Sequence, residues 1–144
     1  MVPSMARPYF GQSVPIAFAH RGGAKRWPEN TLLAFGEAAK LGLRHIETDI
    51  HLTKDGHFVC FHDPMLERTT NGKGRLADYT LAELQRLDAG YRFLEDGSYA
   101  FRGADLRIPT LEEALALDPE LHYNLEVKPP DPALARRVWE LIEH

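Results

Sequence analysis

One cysteine in 144 residues leaves no internal disulfide to staple the fold and no thiolate set to hold zinc. That thiol, Cys60, lies in the apolar run Phe58-Val59-Cys60-Phe61 and reads as a buried structural residue, not a nucleophile. No stretch approaches the roughly 18 apolar residues that cross a bilayer. The opening Met1 to Pro15 also lacks the charged start and long apolar core of a secretion signal. These two absences predict no membrane span and a cytoplasmic protein. Positive charge is not in excess either, since 17 Lys and Arg face 21 Asp and Glu for a net charge of −4. Without a basic field, nucleic acid is excluded as a partner, and a small anion would need local cations. What is present is ordinary domain material: 44% of residues are hydrophobic and 26% charged, enough for a core and too apolar for disorder.

Residues 1–14 show no periodicity and are expected to form a flexible N-terminal segment. From Pro15 onward the chain alternates. Ile16 to His20 is a short apolar run that predicts a parallel strand covered on both faces. Asn30 or Thr31 can cap a helix with Leu32, Phe35 and Ala39 inward, stopping at Gly42. Arg44 to Asp63 then predicts a strand, a turn at Lys54-Asp55-Gly56 and an antiparallel return. Side chains two apart share a face of a strand, so Glu47, Asp49 and His51 line one side and Ile46, Thr48 and Ile50 the other. Residues 64–79 read as loop. Capping boxes at Thr80 to Glu83 and Thr110 to Glu113 open two more helices, separated by an irregular stretch over 90–108. His122 to Lys128 alternates as a strand with Asn124, Glu126 and Lys128 on one face. Asp131-Pro132 starts a last helix with Leu134, Val138, Leu141 and Ile142 as its stripe. Strands alternating with helices predict an α/β architecture with a parallel sheet and helices outside.

Each strand delivers ionisable groups near its C-terminal end: His20 and Arg21, then Glu47 and Asp49, then Glu126 and Lys128. Structural charges have no reason to collect at one edge of a parallel sheet, whereas active sites form there. Either of Glu47 and Asp49 alone reads as an ion pair, with Arg44 or Lys128 for instance. Together with Glu126 they make an oxygen-rich ligand set suited to Mg²⁺ or Ca²⁺. His20 and His62 suit general acid and base roles. Arg21 and Lys128 suit contacts to phosphate oxygens, although Lys128 also serves as a counter-ion to Glu126. His51 shares the face of Asp49 and is a candidate lining residue. His45, His57, His122 and His144 read as surface or strand-edge residues. A metal, two imidazoles and two cations together describe stabilisation of a phosphoryl transition state with proton transfer to a leaving alkoxide, which is phosphodiester hydrolysis.

These residues fall in motifs that resemble the glycerophosphodiester phosphodiesterase family. They are His20-Arg21-Gly22-Gly23, Pro28-Glu29-Asn30-Thr31, Glu47-Thr48-Asp49-Ile50 with Thr53-Lys54-Asp55-Gly56, His62-Asp63-Pro64 continuing to Arg68-Thr69-Thr70-Asn71-Gly72, Pro109 to Glu113, and Glu126-Val127-Lys128. The resemblance implies a TIM barrel of which residues 15–144 supply about three of eight β/α units, with an insertion at about 64–108 after the second strand. It implies metal-dependent hydrolysis of glycerophosphodiesters to sn-glycerol 3-phosphate and an alcohol. It gives His20 and His62 the acid/base roles, Glu47, Asp49 and Glu126 the metal, and Arg21 and Lys128 the phosphate. Glu29 is expected to orient site residues.

Two rivals follow from the same residues. One is a lysophospholipase D-like phosphodiesterase of the same superfamily. The other is a catalytically silent partial barrel that acts as a binding or assembly module, its unpaired last strand covered by a second copy.

Overall fold

The computed structural model of the protein describes Tyr9 and residues 15–143. Its centre is β2 (His45–Leu52), an eight-residue strand buried along most of its length. β4 (His122–Lys128) runs parallel to it in the register His45↔His122 to His51↔Lys128 and occupies one whole edge. The other edge is shared. β1 (Phe18–His20) pairs in parallel with His45 to Glu47, and β3 (Phe58–Cys60) pairs antiparallel with Ile50 to Leu52. The predicted hairpin is therefore present, an antiparallel pair added to otherwise parallel strands. Among the described residues, the outer edges of β1 and β4 have no strand partner.

Alternation along β2 and β4 sorts the side chains. Ile46, Ile50, Tyr123, Leu125 and Val127 face the helices and form the main core with Phe35, Ala38, Leu111, Ala114 and Val138. α1 (Leu32–Lys40) begins at Thr31, whose hydroxyl accepts from the Ala34 N–H at 3.2 Å. It ends in a Schellman turn, with Gly42 at φ 83° and the Gly42 and Leu43 N–H groups closing on Ala39 and Ala38. α3 (Leu111–Ala116) starts with the capping box read from Thr110 and Glu113. α4 (Pro132–Glu143) buries Val138 but leaves Trp139 and Ile142 exposed, so its stripe is narrower than its sequence suggests.

Several expectations are sharpened or corrected. β1 is covered on one face only: Ala19 is buried, but Phe18 and His20 are exposed, because the opposite sheet face has little packed against it there. Residues 64–79 are loop with a 3₁₀ turn at Leu76–Asp78, but a loop with a buried inner side. Leu66, Thr70 and Leu76 are fully buried, and Leu66 and Leu76 join a second apolar cluster with Val59, Phe61, Leu84 and Ile108. The helix opened by Thr80, α2 (Leu81–Leu84), is a single turn. His45 is not a surface residue either. It is buried, stacks on His122 with ring centroids 4.9 Å apart, and bonds through Nε2 to the Tyr9 carbonyl at 2.9 Å. Tyr9 belongs to the segment expected to be flexible; the rest of that segment, like His144, lies outside the described residues.

One glycine is required by this packing. Gly22 has φ 76°, and a Cβ there would sit 2.7 Å from Phe35 Cδ1 and 2.8 Å from Ala34 Cβ. Gly22→Ala is expected to cost about 2–4 kcal/mol from left-handed strain plus overpacking. Gly36→Ala is expected to gain about 0.5–1 kcal/mol, since Gly36 is mid-helix with nothing within 4 Å of an added Cβ. Urea unfolding of the two variants checks both signs.

Candidate active site

The strand registers set the site before any side chain is considered. His20 lies beside Glu47, Asp49 beside Glu126, and His51 beside Lys128, all on the sheet face away from the helices. Ligand oxygens of Glu47, Asp49 and Glu126 all lie within 4.8 Å of one another. That spacing matches one cation at the roughly 2.3–2.6 Å usual for calcium-type oxygen ligands, and the all-oxygen donor set is that of a hard ion. The charge balance agrees. Glu29, Glu47, Asp49, Asp63 and Glu126 are joined by ion pairs or close contact to only three fixed cations, Arg21, Arg68 and Lys128. A divalent ion would match the excess.

Asp49 is buried and held from three directions. Lys128 Nζ is 3.0 Å from Oδ1, Arg21 Nε is 3.4 Å from Oδ2, and Asn30 Nδ2 donates to Oδ2 at 3.2 Å. Of the ion-pair partners proposed for it, Lys128 is present; Arg44 instead reaches Asp118 and Glu120 at the far end of the sheet. Lys128 also lies 3.6 Å from Glu126, so its counter-ion role coexists with its place in the site. Glu47 accepts the Arg21 N–H at 3.1 Å and has His20 Nε2 at 3.9 Å. Arg21 adopts φ 51°, a left-handed backbone that turns its N–H toward Glu47 while its guanidinium reaches Asp49 and Glu29. Its Nε is buried without a hydrogen bond.

A second, more open ring surrounds this group. Arg68 donates to both oxygens of Glu29 at 2.9 and 2.6 Å and to both oxygens of Asp63 at 2.6 and 3.0 Å. Asp63 Oδ1 in turn accepts from His62 Nδ1 at 2.6 Å. Burial works to raise the Glu29 pKa, but the bonds and charges of Arg68 and Arg21 outweigh it and leave the group below the usual carboxylate range. The Arg68 bonds, with that from His62, hold Asp63 at about 2. His51 is buried and donates through Nε2 to the His62 carbonyl at 2.9 Å; burial pushes its pKa down and favours the neutral ring. Beside the carboxylates opens a cleft of about 460 Å³ bounded by His51, His62, Glu126, Lys128, Pro64 and Pro129. Burial drives the Cys60 thiol up to about 12, as a structural residue requires.

Residues 20–144 match the model of the glycerophosphoryl diester phosphodiesterase family. The chain belongs to this family. Glycerophosphodiester phosphodiesterase from Caldanaerobacter subterraneus is 47% identical over 115 residues, covering 78% of this chain and 45% of that protein. Human glycerophosphodiester phosphodiesterase 1 is 43% identical over 113 residues, 77% of this chain and 32% of the human one. Among solved structures, a glycerophosphoryl diester phosphodiesterase domain from Mycobacterium tuberculosis superposes with a TM-score of 0.80 at 30% identity, covering 90% of this chain and 49% of that one. A phosphodiesterase from Oleispira antarctica, solved with the product sn-glycerol-3-phosphate, gives 0.75 at 38% identity, covering 91% and 53%. The chain thus spans about half the length of relatives it matches, and its strands and helices form part of the α/β barrel of this family. Among the described residues no helix is long and apolar enough to cross a membrane.

All the residues expected at the site are gathered at this face, His20 at its rim with a 66% exposed side chain. Sequence reasoning gave no site role to Asp63, Arg68 or Asn30, the last read only as an alternative to Thr31 for the helix cap, although each stands inside a family motif. Asp63 could have been found as the neighbour of His62. Nothing local joins Arg68 to Glu29, 39 residues earlier.

The depressed Asp63 pKa has a consequence for stability. A carboxyl whose folded pKa of about 2 lies below its usual 3.8 contributes stability that is present above pH 3.8 and lost as pH falls through 2. Denaturant melts between pH 2 and 5 are expected to show a shallower decline toward acid for Asp63→Asn than for the unmodified protein.

Proposed function

We propose that the protein is a metal-dependent phosphodiesterase that hydrolyses glycerophosphodiesters to sn-glycerol 3-phosphate and an alcohol. The observation that carries this reading is the convergence of Glu47, Asp49 and Glu126 within 4.8 Å, beside Arg21 and Lys128 and a cleft that His62 helps to bound. The Oleispira antarctica relative, solved with sn-glycerol-3-phosphate, supports the substrate class.

The three carboxylates would hold Mg²⁺ or Ca²⁺, which supplies Lewis-acid polarisation of a phosphoryl oxygen. The remaining work falls to side chains. Arg21, 3.4 Å from Asp49 and 3.2 Å from Glu29, brings a guanidinium charge to the carboxylates and is suited to a phosphate oxygen. Lys128 adds a second positive charge at the carboxylates. In the neutral His62 ring, Nδ1–H donates to Asp63, which leaves the Nε2 lone pair to accept a proton. His20, exposed beside Glu47, is the partner imidazole. One histidine takes the proton from the attacking oxygen and the other protonates the alkoxide as its P–O bond breaks, so charge does not accumulate on either oxygen.

A second reading is a silent binding module in which the β1 and β4 edges, without a strand partner among the described residues, are covered by a second copy. Turnover decides between them. Glycerophosphocholine with Mg²⁺ or Ca²⁺ is expected to yield glycerol 3-phosphate and choline, with EDTA abolishing the release and metal restoring it. Asp49→Asn and Glu126→Gln are each expected to lower kcat/KM by about 10²-fold or more. Preference for lysophosphatidylcholine would move the assignment to the lysophospholipase D type. Folded, metal-supplied protein that cleaves neither substrate would leave the binding module.

A further inference from the structure

Arg68 has no role in the reading above, yet it is the most completely engaged cation at the site. Its four donor contacts bind Glu29 and Asp63 side by side, all between 2.6 and 3.0 Å. Each carboxylate has a second client. Asp63 accepts from His62 Nδ1 at 2.6 Å, and Glu29 accepts from Arg21 Nη1 at 3.2 Å. One guanidinium therefore lies at the junction of two arms, one ending on the His62 imidazole and the other on the Arg21 guanidinium. Arg68 itself has a side chain 46% exposed, where solvent screens the contribution of an ion pair to folding stability. A network of this precision at such a place serves geometry better than stability.

The physical case is one of tautomers and rotamers. An unrestrained neutral imidazole is free to carry its proton on either nitrogen, and only the Nδ1–H form leaves Nε2 free to act as a base. A short bond to a carboxylate selects that form. Asp63 is 24% exposed and directly follows His62, so nothing in the strand geometry fixes its rotamer. Both of its oxygens are instead fixed by the planar fork of Arg68, which a lysine ammonium could not reproduce. The same fork fixes Glu29 and, through it, Arg21.

We propose that Arg68 is a positioning residue that locks His62 in its Nδ1–H tautomer through Asp63 while it aims Arg21 through Glu29, coupling the proton-transferring and phosphate-binding groups through one side chain. This rests on the acid/base and phosphate roles given above to His62 and Arg21, and the test separates the two claims. Long-range ¹H–¹⁵N spectra of the histidine rings report the tautomer without any turnover. Unmodified protein is expected to show His62 as Nδ1–H. Arg68→Ala is expected to shift it toward Nε2–H with His45 unchanged, and added guanidinium is expected to restore the first form. Arg68→Lys, which keeps the charge and loses the fork, is expected to show the same shift, and it carries the test should the alanine variant fold poorly. With glycerophosphodiester as substrate, both variants should lose about tenfold or more in kcat, with guanidinium rescue of Arg68→Ala. An unchanged His62 tautomer in the folded variants, or unmodified behaviour in Arg68→Lys, would overturn the clamp. Loss of the tautomer in a protein that turns over no phosphodiester would uphold the clamp and sink the hydrolase reading.

Discussion

The arrangement of the chain turns on one buried carboxylate. Asp49 is 1% exposed in the middle of the sheet, a position where an unpaired charge would cost several kcal/mol. Its compensation comes from three separate places: Arg21 beyond the end of β1, Asn30 just before α1, and Lys128 at the end of β4. Asn30 is tied in turn to Thr48, whose hydroxyl donates to its Oδ1 at 2.8 Å. The need to neutralise Asp49 therefore draws the C-terminal ends of neighbouring strands and the first loop to one point. An apolar residue there could pack without any of them.

Around this centre the electrostatics change character with depth. In the inner group Asp49 is fully buried while Glu126 is open to solvent, and its carboxylates outnumber the cations Arg21 and Lys128. The outer ring of Glu29, Arg68, Asp63 and His62 is partly exposed throughout, and its short bonds fix directions. The two rings meet at Arg21, which touches Glu29 in one and Asp49 in the other. Packing supports that meeting. Gly22 allows the turn after Arg21 to lie directly on Phe35 and Ala34 of α1.

Much of this was legible locally. The capping box at Thr110, the stop at Gly42, the hairpin at Lys54-Asp55-Gly56 and the alternation of β4 all depend on interactions within a few residues, and all are present. Reading failed where burial depends on distant chain. The stretch after Pro64 is the loop its polar, turn-rich composition indicates, but that composition does not announce that Leu66 and Leu76 close a core with Val59 and Ile108. His45 looked like a strand-edge residue, since no local pattern announces that Tyr9 and His122 pack against it. β1 read as covered on both faces from its apolar composition, which says nothing of what lies above it.

By itself the sequence determined which ionisable residues gather at the strand ends and on which face of its strand each one lies, because alternation in a strand is a property of the backbone. Tertiary structure alone decided the pairings. The register that sets Asp49 beside Glu126, the division of Asp49 between Lys128 and Arg21, and the bridge from Arg68 across 39 residues to Glu29 all require separate segments to be held at hydrogen-bond distance. A chain encodes such distances only through the packing of everything between them.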